Sequence, residues 1–144
     1  MDSTPDAVRT EIENRLARHA DSLARGDVDA ALQLYTTDAI VRPANQEPVR
    51  GHDGLRRFFT SWFAAMTLSN GRYVTDELFV YQNHAFHLGT YHFTGVPTGG
   101  EPVRDRGSFT IVWERQVDGG WLYSRGLFNS SLPPHGGIDR KGQQ

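Results

Sequence analysis

The sequence has no cysteine. Disulfides, thiol nucleophiles and cysteine-ligated metals are therefore excluded, and the absence suits a cytoplasmic protein. It also lacks a charge of one sign. Lysine and arginine number 15 against 17 aspartates and glutamates, for a formal charge of -2, and the two signs are interleaved. No basic stripe is available to nucleic acid and no like-charged tail to a charged partner. Apolar runs are short, well below the roughly 18 residues that cross a bilayer, and no apolar N-terminal segment leads to a small-residue cleavage site. A cytoplasmic protein without membrane or nucleic-acid partners is the expectation.

Several chemical signatures are missing as well. There is no H-x-H or H-E-x-x-H pair for a metal, and no G-x-S-x-G for a serine nucleophile. "GVPTGG" is too short and poorly placed to cradle a phosphate. His84 and His92 share a strand face but stand eight residues apart, roughly 26 Å along a strand, too far for one ion. His87 alternates to the opposite face. Neither a metal nor a cofactor is expected.

What the chain does have is a change of period. With 144 residues it is one domain by size. Val8, Ile12, Leu16, Ala20 and Leu23 recur at helical spacing and predict a helix over about 6 to 25, ended by Gly26. Asp27 caps a second helix carrying Val28, Ala31, Leu32 and Tyr35, and a short extended piece over 40–42 stops at Pro43. Asp53 is the predicted cap of a third, unusually aromatic helix bearing Leu55, Phe58, Phe59, Trp62, Phe63 and Met66. Four strands follow, at about 72–82, 84–95, 104–117 and 120–130, joined by "QN", "VPTGG" and the hairpin signal "VDGGW". Phe109, Ile111 and Trp113 alternate onto one face of the third of these. Helices first and an antiparallel meander after them give an α+β domain with helices on one face of a curved sheet. The boundaries expected are a flexible N-terminus over 1–8, the folded domain over 9–131 and a disordered proline- and glycine-rich tail over 132–144.

His19 is the sharpest single feature. It lies within about 40° of Ile12 and Leu23 on the apolar face of the first helix. Two readings are open: a core histidine with one backbone hydrogen bond, or a pocket acid, base or donor. The aromatic set Phe59, Trp62, Phe63, Tyr91, Trp113 and Phe128 is likewise either ordinary core or the wall of an apolar pocket. Asp38 and Arg42 bracket the trio Ala39, Ile40 and Val41. Asp38 reads as a turn residue hydrogen-bonded locally to backbone, and Arg42 faces whichever side Ile40 faces.

The stretch "HADSLARGDVDAALQLYTTDAIVRPANQEPVRGHDGLRRFF", with "AFHLGTY" and "FTIVWERQVDGGWLYSRGLFNS", resembles the nuclear-transport-factor-2-like superfamily, in the branch of SnoaL-type polyketide cyclases and ketosteroid isomerases. The resemblance covers about residues 9 to 131. It implies a cone-shaped half-barrel, a strongly bent antiparallel sheet closed by about three helices around a deep apolar pocket, commonly dimeric. By the same resemblance His19 stands where the isomerases place a pocket tyrosine, and Asp38 at a structural position. Arg42 stands before Pro43 where the isomerases have their aspartate base, and Gly126 where many cyclases carry an aspartate. Arginine stays protonated and abstracts no proton, so that base is excluded. The expected function is a cyclase or isomerase of an apolar polyketide-like molecule, acting by preorganisation, a cycloaddition included. His19 and Arg42 would polarise a carbonyl, with Tyr35, Phe59, Trp62, Phe63, Met66, Tyr91, Trp113 and Phe128 around the substrate. The alternative is a non-catalytic binding or assembly module of the same fold.

Overall fold

The computed structural model describes residues 4–133. The tail expected to be disordered lies outside them from residue 134 onward. Helix α1 spans Pro5–Arg25. The Thr4 side chain caps it by accepting from the Ala7 amide at 3.1 Å, and Gly26 ends it in the left-handed region at φ 66°. Residues 5–8, expected to belong to a flexible N-terminus, instead form its first turn, because Val8 finds a buried site. Asp27 then caps the short helix α2, Val28–Leu32, by accepting from Ala30 at 3.0 Å.

Strand β1 runs Tyr35–Arg42, followed by β2, Val49–Arg50, and helix α3, Gly51–Ala65. Three expectations are corrected here. Tyr35 opens β1 instead of closing the second helix, since α2 stops after five residues. Asp53 lies inside the first turn of α3, whose N-cap is Arg50 with no side-chain cap. Met66 begins a strand and is not on the helical stripe. The remaining strands are β3, Met66–Tyr81, β4, His84–Pro97, β5, Val103–Arg115, and β6, Trp121–Ser130.

The six strands form one strongly curled sheet in the order β2-β1-β6-β5-β4-β3. All pairs are antiparallel except β1 with β6, which run parallel. The helices close its concave side, α1 against β3 and α3 against β1, and the result is the cone-shaped half-barrel. The inner faces of the strands supply the core: Phe109, Ile111 and Trp113 from β5, and Trp121 and Tyr123 from β6. A bulge where the β5–β6 register slips between Val112 and Trp113 resets the alternation of β6. As a result Tyr123 and Gly126, three residues apart, both face inward and are buried.

Candidate functional site

Between α1, α3, the β1–β2 segment and the sheet lies a cavity of about 830 Å³. Its volume is that of a site for a drug-sized small molecule. His19 from α1 and Tyr35 from β1 line its wall, and both are buried. Their side chains meet, with the Tyr35 hydroxyl 3.1 Å from His19 Nε2. His19 Nδ1 has no hydrogen-bond partner. One of two proton arrangements must hold. If the phenol donates to Nε2, an N–H on Nδ1 is left over; if Nε2–H donates to the phenol, the phenol's own proton is free for a ligand. His19 Nδ1 is sealed from solvent and from the cavity, so only the second arrangement offers a proton to a ligand.

Burial governs the ionisation of this wall. Desolvation pulls the His19 imidazole down from 6.5 to about 4, so it is neutral at physiological pH. Burial, with smaller contributions from Tyr123 and Tyr73, pushes the Tyr35 phenol well above its ordinary range. The pair is therefore an uncharged hydrogen-bonding unit.

Around it the rings form a closed circuit. His19 meets Phe59, Phe59 stacks on Trp62, and Trp62 meets Phe93 edge-on at 5.7 Å. Phe93 stacks on Tyr91, which touches Phe128, and Phe128 touches Phe109. The path returns through His87, Trp113 and Tyr123 to Tyr35, whose ring centre is 4.7 Å from that of Tyr123. A belt of interlocked rings has few ways to collapse, so it keeps the cavity in one shape.

Of the residues expected at the site, His19, Tyr35, Phe59, Trp62, Tyr91 and Phe128 line the cavity, and four do not. Arg42 is exposed on the outside of β1. Val41 is the inward residue, 7% exposed, and alternation sends Ile40 and Arg42 the other way. Phe63 stacks behind Phe59 at 5.6 Å and packs under the α1–α2 corner at Gly26. Met66 lies over Gly95, where a Cβ would overlap its sulfur. Trp113 is fully buried beneath the cavity, its Nε1 donating to His87 Nδ1 at 3.2 Å. That bond fixes the tautomer of His87, whose Nε2–H then donates to the Thr75 hydroxyl at 2.8 Å. Burial lowers the His87 pKa to about 4.

Asp38 is a surface residue of β1, not a turn cap. Its Oδ1 accepts from the Thr36 hydroxyl at 2.9 Å and its backbone carbonyl accepts from Arg125 at 3.1 Å, so the expected carboxylate–backbone bond is replaced by side-chain partners.

A carboxylate overlooked in the sequence does line the cavity. Asp105 on β5 accepts from the Tyr91 hydroxyl at 2.9 Å and from the Ser130 hydroxyl at 2.6 Å. Its signal was available: the alternation of Trp113, Ile111 and Phe109 continues through Gly107 to residue 105. The place of the missing acid at Gly126 is also filled. A side chain there would overlap the ring and hydroxyl of Tyr123, whose oxygen has no hydrogen-bond partner. Among the described residues no three histidine, aspartate or glutamate side chains gather to hold a metal ion. No helix among them is long and apolar enough to cross a membrane.

The segment 16–123 matches the SnoaL-like domain family. Among curated proteins none matches the sequence. A nuclear transport factor 2 (NTF2-like) superfamily protein from Salmonella enterica serovar Typhimurium superposes with a TM-score of 0.76 at 20% identity, over 94% of this chain and 98% of that one. A ketosteroid isomerase-like protein from Erwinia carotovora atroseptica gives a TM-score of 0.75 at 18% identity, over 86% of this chain and 96% of that one. At these identities the likeness is one of fold.

Proposed function

The chain belongs to the SnoaL-like domain family, and from that premise we propose that it is a small-molecule cyclase or isomerase acting on an apolar, polyketide-like intermediate. One observation carries the reading: an 830 Å³ cavity walled by interlocked rings, with a neutral imidazole–phenol pair in that wall. A flexible apolar chain enclosed there loses its extended conformers, and the reacting ends are held together. Orientation of that kind supplies up to about 7–11 kcal/mol of a barrier. With His19 Nε2–H donating to the phenol, the Tyr35 hydroxyl proton donates to a carbonyl oxygen and draws electron density toward it. A cycloaddition, which moves electrons around a ring and transfers no proton, needs the least beyond this. The protein is further proposed to be a cytoplasmic homodimer.

The family's usual carboxylate positions hold Arg42 and Gly126, and this favours a second reading, a binding module that holds its ligand without changing it. Incubation with a panel of linear polycarbonyl and polyene compounds, followed by mass spectrometry and absorbance, separates the two. The enzyme reading requires conversion to an isomer, or to a product lacking one water. Tight binding across the panel with every compound recovered unchanged would assign the protein to the binding class.

A further inference from the structure

The cavity wall contributed by α3 has two flanks. At 100° per residue, Phe58, Trp62, Leu55 and Phe59 occupy one arc of α3, and Arg57, Ser61 and Gly54 the arc beside it, together roughly 200° of the helix, while Arg50 precedes them at the end of β2 as the N-cap. All eight line the cavity. Arg57 is exposed and leans back along α3, with its Nη2 4.0 Å from where a Cβ on Gly54 would stand. The neighbouring Arg56 turns outward and pairs with Asp29 at 2.9 Å. Among the described residues neither Arg50 nor Arg57 has a carboxylate partner. The one carboxylate lining the cavity, Asp105, already accepts from two hydroxyls. The cavity thus pairs an apolar wall with positive charge that has no carboxylate partner among the described residues, from Arg57 and Arg50 at the α3 rim and from Arg72 on β3.

Given the reading of this cavity as a ligand site, we propose that its ligand is an apolar molecule bearing an oxyanion, a carboxylate or a phosphate, with the anion seated at the α3 rim on Arg57 and Arg50. The apolar body lies against Phe58, Trp62 and Phe59, and the charged end remains at the mouth, where water still reaches it. Guanidinium groups hold oxyanions through paired N–H donors. Fixing one end at the rim also sets how far the other end reaches toward Tyr35, so the rim sets the register of the bound chain.

The test uses the full chain and a neutral naphthylamine dye that fluoresces in apolar sites. Dodecanoate, dodecyl phosphate and dodecanol are titrated as displacers at about pH 8 and low salt. At least one anion should displace the dye at about tenfold lower concentration than dodecanol, and which anion does so identifies the head group. Arg57→Ala should shrink that preference and the Arg50→Ala/Arg57→Ala double variant should abolish it, each displacement being referred to the dye affinity measured for that variant. Equal displacement by all three compounds, or a preference that survives in the double variant, overturns the proposal while leaving the cavity reading intact. Failure of the dye to bind the wild type removes the cavity reading and this inference with it.

Discussion

Acid should unfold this protein through two histidines before its carboxylates contribute much. His19 and His87 each titrate at about 4 in the folded state because burial excludes the charged form. In the unfolded chain both return to 6.5. Between these values the unfolded state binds more protons than the folded one, so stability falls as pH drops from 6.5 toward 4 and is fully present above 6.5. At roughly 1.4 kcal/mol per pH unit, each histidine withdraws about 3 kcal/mol over that window. A domain of this size holds about 5–15 kcal/mol in total, so the two together remove a large part of it. Urea unfolding followed by tryptophan fluorescence at several pH values from about 8 to about 4.5 measures the slope. His19→Gln keeps an acceptor for Tyr35 but does not titrate, so the wild-type minus variant difference isolates this histidine from the acidic residues. The variant should lose close to half of the histidine-dependent slope. Parallel curves for wild type and His19→Gln would refute the reasoning, because His19 would then not be buried as a neutral base.

Gly126→Ala should cost about 2 kcal/mol or more, since the new Cβ enters the volume of the Tyr123 phenol; thermal melting reads the loss, and Tyr123→Leu in the same chain should recover part of it. Asp38→Ala should change stability by less than about 1 kcal/mol, because its ion pair with Arg125 is exposed and 4.0 Å long. It should leave turnover unchanged, and lost activity with an unaltered melting temperature would show that Asp38 serves the reaction. The outer sheet face presents Phe79 at 55%, Phe86 at 39% and Leu127 at 51% exposure, with Phe79 directly opposite Phe86. Light scattering should give a dimer mass and Phe86→Glu a monomer; a monomeric wild type at tens of micromolar protein counts against that interface.

The helical period of α1 placed His19 correctly because one continuous helix keeps its phase, and Gly26 marked where it stops. The inward set of β5 was legible for the same reason, since Phe109, Ile111 and Trp113 keep strict alternation. Errors gathered where a period breaks. The end of α2 at Leu32 and the start of β3 at Met66 are set by tertiary pairing, with β1 against β6 and β3 against β4, which no local pattern announces. Arg42 was the costliest miss. A two-residue alternation says only that it shares a side with Ile40; which side is inward depends on Val41 meeting the cavity. The polar lining from Asp105 was legible in principle, but it required carrying the β5 alternation past Gly107, where the apolar signal ends.

The direct test of the central claim, catalysis by shape with a neutral imidazole–phenol pair, is a pH–rate profile. Wild type, Trp62→Ala and His19→Ala are compared from about pH 6 to 9 on whichever compound the panel shows to be converted. The wild-type profile should be flat, because His19 titrates near 4. Trp62→Ala should lose about 100-fold in rate, since a reacting atom displaced by about 1 Å costs that much, and His19→Ala should lose less, by the same factor at every pH. A wild-type ionisation near pH 6 to 7 that vanishes in His19→Ala would contradict the account and make His19 the acid–base of the reaction.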